Sequence, residues 1–233
     1  MSRENELLPS NLDPLKNVNL SGVGRNGKSK KIIVPPSLSW QIASGLPPMA
    51  KAIVMIAAVS GLRVSEILGL HWSDMNLAVK KITLNSTWHS GGIIGTGKTE
   101  ASKEPAFMSD KVVQALLDWK RITPYAADSD WVFASLKLKG KTLISGSQFV
   151  KDWLRPKFVA FGVIDADYRG RAGLHAFRHS LASWLITEEG FDPKTAQGVL
   201  RHANSDVTMN VYTHANEKGM RDAVDRMDSR MVN

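Results

Sequence analysis

The spacing of apolar side chains predicts helices over most of the chain from residue 39 onward. Residues 39–45 and 48–60 suit two helices, and Gly61 follows where a helix commonly ends in the left-handed conformation. A third helix is predicted over residues 62–70, because apolar residues recur there at i, i+3 and i+4: Val64, Ile67 and Leu68.

Helical patterns continue in the second half of the chain, at residues 109–121, 147–161, 174–190 and after Asp192. Pro156 should kink or split the second of these helices, since proline lacks the N–H that a helix interior needs. Asp192 and Pro193 form a good N-cap and first-turn pair. Two helices carry inward apolar stripes, the first with Val112, Val113, Leu116 and Leu117 and the second with Leu174, Phe177, Leu181, Trp184 and Leu185.

Strand patterns are confined to a few short segments. Residues 81–88 alternate and are rich in β-formers, residues 102–108 form a second extended run, and a glycine-rich stretch separates the two. A short strand is also expected at residues 131–133. The predicted fold class is therefore mostly α with a small antiparallel β-sheet, an α+β protein.

Composition adds an expectation about domains and partners. The 233 residues include 30 Lys+Arg against 22 Asp+Glu, a net charge of +8 that favours a polyanionic partner. The basic segment 15–34 reads as a linker or a solvated arm. We therefore expect a basic arm at residues 1–34, one domain at residues 35–214 and an amphipathic tail helix at residues 215–233.

Several classes of protein are excluded. The hydrophobic share of 43% argues against a disordered or fibrous chain, and no apolar stretch approaches the roughly 20 residues of a membrane span. The absence of cysteine excludes disulfides, thiol nucleophiles and Cys-ligated zinc. Residues 1–14 lack the layout of a signal peptide, so a cytoplasmic protein is expected.

Candidate chemistry lies in polar residues that stand close together on the predicted helices. Arg63 shares a helix face with Glu66, and His175 shares one with Arg178, away from the apolar stripe. His202 and Tyr212 follow the helix that begins at Pro193. Taken singly, each has a structural explanation as a satisfied core group or a surface charge. Their conjunction in one order is what indicates a site.

Four ordered motifs carry a resemblance to a known family. They are GLRVSEILGLHWSDM at 61–75, GKTEASKEPAFM at 97–108, LHAFRHSLASWL at 174–185 and LRHANSDVTMNVYTH at 200–214. This set resembles the tyrosine recombinase, or phage integrase, family. The resemblance implies the fold of that family's catalytic domain and a site-specific DNA recombinase that cleaves and rejoins strands through a 3′-phosphotyrosyl intermediate, with no metal, ATP or other cofactor.

The resemblance also implies a role for each site residue. Tyr212 would be the nucleophile, and Arg63 and Arg178 would stabilise charge on the non-bridging oxygens. His175 would accept a proton and contact the phosphate, and His202 would hydrogen-bond a non-bridging oxygen. Lys98 would protonate the departing 5′ oxygen.

Some assignments leave alternatives open. Lys103 lies on the same predicted hairpin as Lys98 and is its competitor, although Lys98 matches the Lys-Thr of the motif. Glu66 is expected to brace Arg63 rather than join the chemistry. Arg201 departs from the family, which normally has Gly before the second His, so the backbone turn at that point is in question. A metal pair of His175 with His179 is disfavoured, because no Glu stands between them.

The expected partner is double-stranded DNA. In resembling proteins, a helix beyond the nucleophile docks on a neighbouring protomer, so we expect a homo-tetramer on DNA with the tail docking in trans. The stripe of Met220, Val224, Met227 and Met231 suits such docking, although the tail can equally fold onto its own domain. Two rival functions remain: a type IB topoisomerase, and a DNA-binding fragment or remnant without activity of its own.

Overall fold

The computed structural model describes residues 32–89, 92–95, 104–187 and 189–201. The helices in these ranges are α1 (Pro36–Ser44), α2 (Pro48–Val59), α3 (Val64–Leu68), α4 (Asp110–Ile122), α5 (Gly146–Phe149), α6 (Arg155–Ala160), α7 (His175–Thr187) and α8 (Pro193–Leu200). The strands are β1 (Met75–Asn76), β2 (Lys81–Ile82), β3 (Ser86–His89), β4 (Gly92–Gly95) and β5 (Ala106–Phe107).

Helix α2 lies at the centre of the fold. It packs against α1, α4 and α7, and most of its residues are buried on every side. A helix that is apolar all round is typical of such a central position. The largest fully buried side chains among the described residues are Phe133, Phe158, Phe177, Ile42, Ile53, Ile56, Leu62, Ile67, Leu70, Ile82, Leu116 and Leu154.

The predicted helices are confirmed, with local differences. The Ser109 side chain caps α4, and Asp192 caps α8 by accepting the backbone N–H groups of Lys194 and Thr195. The helix expected over residues 147–161 is split into α5 and α6 by a π-helix at Val150–Leu154, immediately before Pro156. The wider π turn accommodates the ring that a regular α-helix cannot.

The sheet differs most from the sequence prediction. Residues 81–88 form two strands, because β2 pairs with β1 and β5 in a three-stranded antiparallel sheet, whereas β3 pairs only with β4. Asn85 lies between β2 and β3, and its side-chain amide donates a hydrogen bond to the Asp74 carboxylate. Strand β4 occupies part of the glycine-rich stretch that separates the two predicted extended runs.

The prediction of a short strand at residues 131–133 is wrong. Two isolated bridges take its place, between His71 and Trp131 and between Ala134 and Leu143. The fold class itself, mostly α with a small antiparallel sheet, is confirmed. In the described part of the chain, no helix has both the length and the hydropathy that a membrane crossing requires.

Helix α4 offers a direct test of the core. Leu116 is fully buried, whereas Ile122 on the same helix is 60% exposed. Leu116→Ala should lower the free energy of unfolding by about 2–5 kcal/mol, since it leaves a cavity in a packed core. The control Ile122→Ala should change it by less than about 1 kcal/mol. Urea denaturation measures both, and equal losses would contradict the packing described.

Candidate active site

Arg63 stands at the N-terminal boundary of α3, where the chain leaves α2. Gly61 takes a positive φ of 65° at the end of α2, and Arg63 follows in an extended conformation. The Glu66 carboxylate accepts the Arg63 backbone N–H at 2.8 Å, which satisfies one of the free N–H groups of the first turn. The prediction that the apolar residues of this helix face the core is confirmed for Ile67 and Leu68, which are buried. It is wrong for Val64, which is 40% exposed.

Glu66 is the common partner of two arginines. Its Oε1 lies 3.0 Å from Arg63 Nη1, and its Oε2 lies 3.3 Å from Arg201 Nη1. The Glu66 and Arg201 side chains are 3% and 1% exposed, whereas that of Arg63 is 42% exposed. A buried carboxylate must be paired and hydrogen-bonded to remain ionised at low cost, and these donors supply that pairing. The expectation that Glu66 braces Arg63 agrees with this geometry.

Arg178 is buried on helix α7, with 3% of its surface exposed. Its Nη1 donates a hydrogen bond to the Gly61 carbonyl, and its Nη2 has no hydrogen-bond acceptor among the residues that the structure describes. His175, one turn earlier, is exposed at the start of the same helix. The two residues therefore lie at different depths, and Arg178 is not on the open polar surface that the sequence suggested.

The apolar stripe predicted for α7 is confirmed only at its start. Leu174 and Phe177 are buried in the core, but the remaining members of the stripe are half-buried: Leu181, Trp184 and Leu185. Ala182 and Ile186 are the buried apolar residues of the later turns. The helix thus presents a different line of side chains to the core there, since α7 also packs against α8.

Clustered cations shift the pKa values in this region. Burial, opposed by Glu66 and reinforced by Arg63 and Arg201, lowers the pKa of Arg178 to about 10. Burial, with smaller contributions from Arg178 and Arg63, also lowers the pKa of His175 from 6.5. At pH 7 the guanidinium therefore stays protonated and the imidazole is mostly neutral. Glu66 offsets part of the charge of the three guanidinium groups, and Glu104 adds to this at Arg201, so the cluster keeps a net positive charge.

Arg201 ends helix α8 in the left-handed conformation, with φ 52° and ψ 45°. This is the conformation that glycine adopts freely, so the turn is made here although arginine replaces the family's glycine. The sequence left open whether the backbone turn forms without glycine, and Arg201 does adopt that turn. Its part in the Glu66 cluster was missed, and the only signal in the sequence was that an arginine stood at a glycine position.

Three predicted site residues, Lys98, His202 and Tyr212, lie outside the described residues, as does Lys103. The structure brings Arg63 and Arg178 together, with His175 near them.

Two tyrosines outside the four motifs, and His179, make contacts within the fold. The Tyr168 carbonyl accepts from Arg155, and the Tyr125 carbonyl accepts from the Trp72 indole at 2.9 Å. The His179 ring packs edge-on against His175, with 4.3 Å between ring centroids. Among the described residues, no group of three His, Asp or Glu side chains is placed to hold a metal ion.

Arg63 and Arg178 belong to one positively charged cluster that also influences the His175 imidazole, an arrangement that can bind an anion. The sequence profile of the phage integrase family matches residues 41–218. The chain therefore belongs to the phage integrase family.

Individual proteins give the same result. The chain is similar to tyrosine recombinase XerC of Caldanaerobacter subterraneus subsp. tengcongensis, with 25% identity over 178 residues, 75% of this chain and 44% of the relative. Tyrosine recombinase XerA of Pyrococcus furiosus is 28% identical over 180 residues, 76% of this chain and 54% of the relative. The chain spans about half the length of the curated relatives it matches.

The fold is also shared with solved structures. The Tn1549 transposon integrase, solved in complex with circular intermediate DNA, superposes with a TM-score of 0.65 at 20% identity, over 91% of this chain and 72% of that one. The predicted resemblance to the catalytic-domain fold of tyrosine recombinases is confirmed.

The pKa of His175 tests the electrostatics of the site. Because Arg63 contributes to the lowered value, Arg63→Met should raise the His175 pKa towards 6.5 while keeping an apolar stem of similar length. Arg121→Met, at a side chain that is 68% exposed on α4, is the control. NMR titration of the ring Cε1–H signal measures both variants. A His175 pKa that is unchanged in Arg63→Met, or that moves equally in both, would contradict the arrangement.

Proposed function

We propose that this chain is a site-specific DNA recombinase, an integrase-type strand transferase that cleaves and rejoins DNA through a 3′-phosphotyrosyl intermediate. The observation that carries the proposal is that Arg63 and Arg178 lie in one positively charged cluster. Glu66 holds the first and the Gly61 carbonyl holds the second. Membership of the phage integrase family supports the same activity.

The two arginines suit the charge that develops during cleavage. When an oxygen nucleophile attacks a phosphodiester, negative charge builds on the two non-bridging oxygens. Guanidinium groups bind such oxygens through paired N–H donors and stay charged at neutral pH. Arg178 retains its charge because its lowered pKa of about 10 is still well above 7. Arg178 Nη2 has no hydrogen-bond acceptor among the described residues, and we assign this group as a donor to the phosphate.

The remaining proposed roles move protons. The Tyr212 phenol oxygen attacks phosphorus, and its proton passes to His175, whose lowered pKa favours the neutral form that can accept it. The bond from phosphorus to the 5′ oxygen breaks, and Lys98 protonates that oxygen as it leaves. His202 donates a hydrogen bond to a non-bridging oxygen. The phosphotyrosyl bond conserves the energy of the cleaved bond, so no step uses ATP or a metal ion.

The proposal extends to the organisation of the chain. Residues 35–214 are the catalytic domain, residues 1–34 a basic arm and residues 215–233 a tail helix. Double-stranded DNA is the partner, in keeping with the net charge of +8, since Lys and Arg that neutralise phosphates release counterions. A protein with this substrate works in the cytoplasm. On DNA we propose a homo-tetramer in which each tail docks on a neighbouring protomer.

Tyr212→Phe tests the chemistry. On nicked suicide duplexes, drawn from the DNA that flanks the gene, wild type should form a covalent adduct, because the nick lets the 5′ product diffuse away. Tyr212→Phe should form none and should bind the same duplex within about threefold of wild type, since only one hydroxyl is lost. Denaturing gels measure the adduct, and fluorescence anisotropy measures binding.

Matched variants and substrates separate the rival functions. Tyr125→Phe, at a tyrosine outside the four motifs, should form adduct like wild type. Adduct retained by Tyr212→Phe would refute the nucleophile. Relaxation of a generic supercoiled plasmid at low protein concentration would instead favour a type IB topoisomerase, and salt-sensitive binding with no adduct would favour a fragment without activity of its own.

Removal of residues 217–233 tests docking of the tail. The deletion takes away the stripe of Met220, Val224, Met227 and Met231, so oligomers on DNA should be reduced to smaller species. The control is Arg221→Ser in the full-length chain, which leaves the stripe intact. Analytical ultracentrifugation on a labelled duplex measures the assemblies. Unchanged assembly after deletion would refute docking in trans.

A further inference from the structure

Arg201 is a buried cation to which the proposed chemistry assigns no role. Its side chain is 1% exposed and its Nη1 lies 3.3 Å from Glu66 Oε2. Burial lowers the pKa of its guanidinium and Glu66 opposes that effect. Placing an arginine here is costly unless the ion pair compensates for it. A position that makes only a helix-ending turn would not require such a side chain.

The backbone of Arg201 adds to this argument. Three non-glycine residues in the described ranges have a positive φ: Lys80, Lys139 and Arg201. The first two are exposed, so their side chains place no demand on the fold, whereas Arg201 is buried. An L-residue is less stable than glycine in this conformation. The arginine is therefore held in an unfavourable backbone state with its guanidinium on Glu66.

The end of α8 is fixed to the Arg63 segment at a second point. A Cβ atom at Gly61 would lie 2.8 Å from the Val199 carbonyl oxygen, so the two backbones are in close contact. The Gly61 carbonyl also accepts the hydrogen bond from Arg178. The Arg201–Glu66 pair and the Gly61–Val199 contact together fix the end of α8 against the turn that carries Arg63.

We propose that Arg201 is a positioning residue, which orients Glu66 so that this carboxylate holds the Arg63 guanidinium for the phosphate, and which ties the end of α8 to the same carboxylate. The inference rests on the proposed recombinase function. The two oxygens of Glu66 accept different hydrogen bonds. Oε1 accepts from Arg63 Nη1, and Oε2 accepts from both the Arg63 backbone N–H and Arg201 Nη1. With Arg201 removed, the carboxylate is free to turn and both Arg63 bonds change.

The described ion pair of Arg201 is with Glu66, the carboxylate that also holds Arg63. Arg63, with 42% of its side chain exposed, is the member of the trio that can reach a phosphate. The chain continues from Arg201 directly to His202, the next proposed site residue. Arg201 is thus adjacent in sequence to one proposed site residue and is linked through Glu66 to another, Arg63.

Arg201→Gly tests the proposal, because glycine keeps the left-handed turn and removes only the side chain. Under single turnover at saturating protein on the nicked duplex, its cleavage rate should fall by about 10²-fold, the order expected for a misplacement of about 1 Å in catalytic geometry. DNA affinity should change by less than about threefold. The control Lys139→Gly makes the same backbone change at an exposed site and should cleave like wild type. Arg201→Lys should recover part of the rate.

A double-mutant cycle separates positioning from a general structural effect. If Arg201 acts through Glu66, adding Arg201→Gly to Glu66→Gln should cost little more than Glu66→Gln alone, with thermal unfolding confirming that each variant is folded. Additive losses in rate, or wild-type cleavage by Arg201→Gly, would overturn the proposal.

A wild type that forms no adduct would refute the recombinase function and leave the coupling to be judged by amide hydrogen exchange. The Arg63 N–H, which Glu66 accepts, should then exchange faster in Arg201→Gly than in Lys139→Gly. Equal exchange in the two variants would overturn the role of Arg201 independently of the function.

Discussion

The buried carboxylate of Glu66 is the constraint from which the rest of the site follows. An ionised carboxylate in the interior must be matched by donors, and here they come from the start of α3 and from Arg201 at the end of α8, which is 135 positions from Glu66 in the sequence. Because one group binds both, the geometry of Arg63 depends on where α8 ends. Such a network is stable only when its members are all satisfied, and loss of one partner of a buried pair typically costs about 3–5 kcal/mol.

Gly61 complements this electrostatic constraint with a steric one. Its positive φ turns the chain out of α2, and the missing side chain lets the Val199 carbonyl approach. Its own carbonyl then accepts the buried guanidinium of Arg178. One residue thus joins α2, α7 and α8 at the point where the charged cluster is assembled. The motif Gly-Leu-Arg that marks the family in sequence is, in physical terms, a turn that makes room for these approaches.

The helices could be predicted from the sequence because the signals that mark them, caps and apolar periodicity, are local. Ser109 and Asp192 are typical N-cap residues that mark the starts of α4 and α8, and the inward residues of α4 recur at helical spacing. The strands could not be predicted as well, since β2 and β3 are adjacent in sequence but have different partners. A strand of two to four residues is defined by the segment it pairs with, which no local pattern reveals.

The sequence did not reveal how deeply the described site residues are buried. His175 and Arg178 are three positions apart on one helix, which suggests a shared polar surface, yet the structure buries the arginine and exposes the histidine. The reason lies in residues far away in sequence: Arg178 enters the interior because Gly61 offers a carbonyl there. Arg201 escaped prediction for the same reason, since its partner Glu66 is on another helix.

The surplus charge of the cluster connects its stability to its function. The pKa values of Arg178 and Arg201 are lowered mainly because both guanidinium groups are buried, and further because neighbouring arginines repel them. Binding of a phosphate diester would relieve part of the repulsion, and the charge that grows on its oxygens during cleavage would relieve more. In the proposed function, a site of this kind would bind the transition state more tightly than the ground state, which is the condition for catalysis.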